Sequence, residues 1–209
     1  MKKPSLLLIA GLLLVSPAAF AGGSHFLFEP FTGVTFNHGF SMENAVGFES
    51  GALFAVGGKL KGFPPRFYLY VRASESIFGD DEVFIDNREA YGTVSRAYTR
   101  ITGGLRVVFP IVGRLRLNLE AGGGTMLSRN RYGEAGMSEV SYDEDLTVFE
   151  TGIGLNYRFF EWLSLGVMYN YSYVTDTRNC DLIAGFLGER QDGRELAWSH
   201  LNVTLGLHF

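Results

Sequence analysis

The 209-residue sequence is poor in cysteine and proline, with one and six of them, and carries no surplus of positive charge. The single thiol, Cys180, can form no intramolecular disulfide and reads as a tolerated loop residue. Acidic residues outnumber basic ones, 22 to 18. That balance excludes nucleic acid as a partner, because such binding needs a basic surface to neutralise phosphates. Beyond residue 21 there is no run of about 18 apolar residues, so no helix of the mature chain can span a bilayer. No Pro/Ser-rich linker or change of composition divides the chain, and its length fits one domain.

What is present begins with "MKKPSLLLIAGLLLVSPAAFA". Lys2 and Lys3 precede an apolar run from Leu6 to Val15, and Ala19-Phe20-Ala21 closes the segment. This is the layout of a secretory signal peptide with a small-x-small cleavage site. The run is shorter than the ~20 residues of a membrane-spanning helix. Residues 1–21 are therefore expected to be removed, which leaves residues 22–209 as one domain. Removal of Lys2 and Lys3 leaves 16 bases against 22 acids, a net charge of -6. No cysteine follows the cleavage site, so a lipid-anchored N-terminus is not expected.

Period-two patterning fills the rest. "RLRLNLEAG" sets Leu115, Leu117, Leu119 and Ala121 against Arg114, Arg116, Asn118 and Glu120. "LSLGVMYNYSY" and "FETGIGLNYRF" alternate likewise, and so does the terminal "LNVTLGLHF". Strict alternation marks half-buried strands, since a helix repeats every 3.6 residues. Eight such segments occur, at about 26–37, 47–61, 66–76, 96–109, 114–128, 146–159, 163–175 and 197–209. Each is as long as the ~9–11 residues of a tilted membrane strand. Residues 62–65, 110–113 and 160–162 read as tight turns, whereas 38–46, 77–95, 129–145 and 176–196 are longer and mostly acidic. Short and long connections alternate, so all long loops leave from one end. The expected fold is all-β, a transmembrane eight-stranded antiparallel up-and-down β-barrel.

A soluble barrel alternates too, but it turns its charged face to water. Here the polar face holds Glu29, Glu49, Lys59, Arg66, Arg72, Arg100, Arg106, Arg114, Arg116, Glu120, Glu150, Arg158 and His200. The opposite face has almost no charge. Phe26, Phe67, Phe109, Phe159 and Phe209 cluster at the short-turn end, as an interfacial aromatic girdle would. The polar face is therefore expected inside and the apolar face against lipid.

The first strand "FLFEPFTGVTF", the repeated aromatic-Gly strand patterns and the final "LNVTLGLHF" resemble the small outer-membrane barrels of the OmpA transmembrane-domain and OmpX/Ail type. The resemblance extends over essentially the whole mature chain. It implies a cell outer membrane location in a Gram-negative bacterium, with lipid and lipopolysaccharide as surroundings. It also implies that Phe209 is part of the signal read by the outer-membrane assembly machinery. OmpA continues into a peptidoglycan-binding domain that has no counterpart after Phe209, so no cell-wall tether is expected. A monomer is expected.

Eight strands leave room inside for side chains or one small ligand. Tyr68, Tyr70 and Tyr98 add bulk there. Arg72, Arg100, Arg106, Arg116, Glu120, Glu150 and Arg158 are expected to form an ion-pair network that fills the lumen, because unpaired charges in a confined site are costly. Counting residues from the short turns places Arg100 near Glu120 and Glu150.

Other functions place their own demands on the residues. A narrow porin-like channel would need these pairs to rearrange. A lipid A-modifying enzyme would need a Ser-His-acid set. Ser199 and His200 point to opposite faces of one strand, His25 precedes the first strand, and His38 falls in a loop, so no such set emerges. His200 and His208 lie ~26 Å apart along one face, too far to share a metal. "GGGT" at 122–125 lacks the lysine of a phosphate loop and reads as room for large neighbours. The acidic loop stretches "GDDEVFIDNRE", "SYDEDL" and "GERQDGRE" match no calcium-loop spacing. No enzyme activity, cofactor or metal is expected. The reading is a structural or surface-interaction barrel whose long loops contact a host or matrix ligand.

Overall fold

The computed structural model describes residues 25–38, 46–85, 90–134, 140–174 and 196–209. They form eight strands and, among the described residues, no helix: β1 (His25–Asn37), β2 (Val46–Lys59), β3 (Arg66–Ile85), β4 (Ala90–Val112), β5 (Leu115–Glu134), β6 (Val140–Arg158), β7 (Leu163–Val174) and β8 (Leu196–His208). Each strand pairs antiparallel with the next, and β1 pairs with β8 to close the barrel. Closure removes the two edges whose open N–H and C=O groups hydrocarbon could not satisfy.

The short connections are tight. Gly62 and Gly113 adopt φ of +84° and +54°, the left-handed region in which a Cβ is strained. The β4–β5 turn is shorter than the sequence predicts. β4 runs through Pro110 to Val112, and an irregularity between those residues absorbs the proline, which cannot donate to the ladder. Only Gly113 and Arg114 remain as the turn.

The central strands exceed their expected lengths. Residues 77–85, 90–95, 129–134 and 140–145 continue the ladders of β3 to β6, where the sequence reads as loop. Pairing there is carried by the backbone, which side-chain polarity does not reveal. The backbone of "SYDEDL" thus belongs to β6. Segments 1–21, 39–45 and 175–195, with Cys180 and "GERQDGRE", lie outside the described residues.

Side chains alternate between two environments. On β7, Ser164, Met168, Asn170, Ser172 and Val174 are buried inside, while Leu165, Val167, Tyr169 and Tyr171 are exposed outside. Phe26, Phe109, Phe159 and Phe209 are exposed at the short-turn end, beside Phe160 and Trp162 stacked at 5.7 Å. The buried face is not uniformly polar. Phe78, Tyr98, Met126, Leu146, Val148, Val174 and Trp198 form an apolar layer toward the long-connection end. Leu27, Leu53, Ala55, Tyr68 and Tyr70 form a second apolar cluster toward the short turns. At Gly122 a Cβ would lie 2.6 Å from the Tyr70 hydroxyl, so the missing side chain makes room for that ring.

Candidate functional site

Between the two apolar clusters lies a chain of alternating charges. Its members stand on six of the eight strands, at inward positions set by the period-two pleat. Arg106 grips Glu29 with both terminal nitrogens, at 3.0 and 2.8 Å, and also meets Glu120. Glu120 accepts from Arg72 at 2.5 Å, and Arg72 meets Glu150 with its other nitrogen. Glu150 lies 3.3 Å from Arg100, which meets Glu49 in turn. The order Glu29–Arg106–Glu120–Arg72–Glu150–Arg100–Glu49 thus crosses the lumen without a break.

Neutral groups satisfy much of what remains. Arg100 donates to Ser172 Oγ at 2.6 Å and to Ser74 Oγ at 3.2 Å. Asn202 donates to Glu49 at 3.0 Å, and Asn170 donates to both Glu120 and Glu150. His200 ends the chain, with Nδ1 3.0 Å from Glu49 and Nε2 2.7 Å from Arg100. A guanidinium can only donate. Nε2 therefore accepts from Arg100.

Among the described residues the fully buried charges balance. Arg72, Arg96, Arg100 and Arg106 equal Glu29, Glu49, Glu120 and Glu150 in number. Burying the seven ionised groups of the chain is tolerable only because each finds charged or strongly polar partners nearby. Such an arrangement holds strands together across the lumen, fixes their register and fills space that water or ions would otherwise occupy.

Two residues expected in this network stand outside it. Arg116 donates to the carbonyls of Gly113 and Leu115, at 2.7 and 3.0 Å, and Arg158 donates to the carbonyl of Glu161. Both sit at the short-turn mouth. Glu29, the carboxylate of the chain nearest that end, is already held by the Arg106 fork. The predicted pairing of Arg100 with Glu120 is also corrected: Arg100 takes Glu49 and Glu150, and Glu120 goes to Arg72 and Arg106. The tighter β4–β5 turn explains the shift, because it sets Arg106 directly opposite Glu120 and Arg100 opposite Met126. Glu29, Glu49 and His200 were recognisable as inward polar residues, but nothing in the one-dimensional pattern names their partners.

Outside the barrel the structure brings together a pair that the sequence keeps apart. His38 Nε2 lies 2.5 Å from Ser199 Oγ, and the Tyr169 hydroxyl donates to the same oxygen at 3.0 Å. No described carboxylate joins them. The strand amides nearby are engaged in the β1–β8 and β7–β8 ladders, so among the described residues no strand amide is free to serve as an oxyanion donor there. Phe209 closes the seam at the rim, exchanging backbone hydrogen bonds with Phe26 at 3.0 and 2.9 Å.

No protein-family model matches the chain, and no curated protein does. Solved structures do. The attachment invasion locus protein Ail of Yersinia pestis superposes with a TM-score of 0.53 at 11% identity, over 90% of this chain and 99% of that one. A major outer membrane protein from Thermus thermophilus gives 0.54 at 12% identity, over 90% of this chain and 100% of that one. The chain has the fold of small outer-membrane barrels. At such low identity the likeness extends to architecture alone.

Proposed function

We propose that the protein is a non-enzymatic integral barrel of the outer membrane, with its lumen closed by side chains and its work done at the long-loop end. The observation that carries this reading is the reversed polarity of the barrel: an ionic chain inside and Leu, Val, Ile and aromatic side chains outside. That exterior suits lipid tails and lipopolysaccharide, and the aromatic rim suits the interface. The similarity of fold to outer-membrane barrels supports the same compartment. Residues 1–21 serve as the cleaved export signal in this reading, and Phe209 contributes to the signal for assembly. The long connections, on a rigid scaffold, are where a host or matrix ligand would be met.

Planar-bilayer recording of the purified folded protein, alongside fractionation of expressing cells, tests this proposal. The expected result is protein in the outer-membrane fraction with no stable conductance. A steady open level from the unmodified protein would replace the closed lumen with a narrow channel. Recovery in a water-soluble fraction would overturn the membrane reading altogether.

A further inference from the structure

The two arginines left outside the ionic chain are not scattered. Arg66, Arg116 and Arg158 line one cavity at the short-turn mouth of the lumen, together with His208, Asn118 and Asn156. The cavity between these side chains has a volume of about 40 Å³ and opens to solvent. No carboxylate lines it. Among the described residues none of the three arginines makes an ion pair. Arg158 is also within electrostatic reach of both other arginines and of Glu161 on the adjoining turn.

Two donors beside it have no partner of their own. Asn118 is buried at the wall of this cavity, and its amide nitrogen has no hydrogen-bond partner. The Nε of Arg158 is likewise buried without one. The floor is separated from the ionic chain by Asn156, which donates to Glu29 at 3.4 Å. Glu29 is engaged by Arg106, so the chain above has no carboxylate to spare for the mouth. His208 is tied to Ser164 at 2.9 Å. Among the described residues the surrounding rim adds Lys59, Lys61 and Arg114, against Glu161 and the terminal carboxylate of Phe209. Three guanidiniums and a neutral amide around one cavity with no carboxylate in its lining have the composition of an oxyanion receptor, with the nitrogens that Arg116 and Arg158 do not spend on turn carbonyls left to donate.

We propose that this mouth is a binding site for a phosphate group, held by Arg66, Arg116 and Arg158 with Asn118 as the neutral donor. Two sources share that chemistry: free inorganic phosphate and the headgroup of a phospholipid at the rim. The cavity opens to solvent at the rim, so the phosphate group can arrive as the free anion or on a lipid headgroup. The inference does not depend on what the long loops contact.

The test uses the full mature chain folded in octyl glucoside, a detergent without phosphate. Arginine side-chain N–H signals are followed by NMR as inorganic phosphate is added. Saturable shifts are expected for Arg66, Arg116 and Arg158, with Arg114 on the turn unmoved. Arg116→Gln and Arg158→Gln should each weaken phosphate binding about tenfold, the loss of one charge-assisted hydrogen bond. The folded, heat-modifiable band on gels shows that the variants remain barrels, and Asn118→Leu provides a variant without charge change. In a second arm the protein is moved into phosphatidylglycerol bicelles without free phosphate. The same shifts there identify the headgroup as a source, and shifts only with inorganic phosphate identify the free anion. Shifts that grow linearly to millimolar phosphate without saturating, and no response in bicelles, would overturn the proposal. So would equal affinity in the wild type and the glutamine variants.

Discussion

Arg72 meets Glu120 at 2.5 Å across the lumen, joining β3 to β5, two strands that are not hydrogen-bonded neighbours. The contact skips β4 altogether. The same guanidinium reaches Glu150 on β6, so one side chain ties together three strands that the backbone ladder links only in sequence order. Arg72 is also placed over the Phe31 ring of β1, 5.5 Å from its centroid. Ladder bonds alone hold each strand to two others. The ionic chain braces the barrel across its diameter.

Removing Arg72 is therefore expected to hurt more than removing a surface charge. Arg72→Met leaves Glu120 and Glu150 buried with one fewer cation each, and breaking such a pair costs about 3–5 kcal/mol. Urea unfolding in detergent, followed by loss of the heat-modifiable band, should show a lower midpoint. Adding Glu150→Gln to Arg72→Met should restore part of the loss, because the stranded charge is gone. A shift worth less than about 1 kcal/mol, the range of exposed pairs, would show that the brace contributes little.

The outward face makes a second claim. Val167 is 48% exposed on β7. If that face meets hydrocarbon, Val167→Arg should cost about 2–4 kcal/mol near the bilayer midplane. Val167→Leu should be close to neutral. In a water-soluble barrel the arginine at so exposed a site would be harmless, within about 0.5 kcal/mol. Folding titrations into lipid vesicles distinguish the two, and a harmless arginine would reject the lipid-facing assignment.

Phe209 supplies the third. Its backbone exchanges two hydrogen bonds with Phe26 at the β1–β8 seam, and its ring is 73% exposed at the aromatic rim. Deleting it alone should leave export across the inner membrane intact. The folded form in the outer membrane should fall several-fold, with unfolded chain accumulating in the periplasm. Normal outer-membrane levels of the truncated chain would refute the assembly role, since a frayed chain end is ordinarily dispensable.

The alternation of "RLRLNLEAG", "LSLGVMYNYSY" and "LNVTLGLHF" by itself determined the number of strands, their faces and the side from which the long connections leave. The reason is that the pleat has a fixed period of two, so a face can be read without knowing any neighbour. The reach of the central strands was not legible. Beyond Ser76 and Ser128 the ladders continue through residues that read as loop, held by backbone pairing that side-chain types do not encode. Apolar residues inside the lumen, such as Trp198 and Val148, were hidden for a related reason: a closed, filled interior accepts apolar and charged groups alike. The partners of the charges depended on tertiary structure most of all. Which carboxylate Arg100 or Arg106 meets depends on register across the closed sheet, and a change of a few residues in one turn moved Glu120 from Arg100 to Arg106. The basic mouth appeared only when barrel closure brought Arg66, Arg116 and Arg158 around one cavity, from strands whose separation in sequence gives no sign of it.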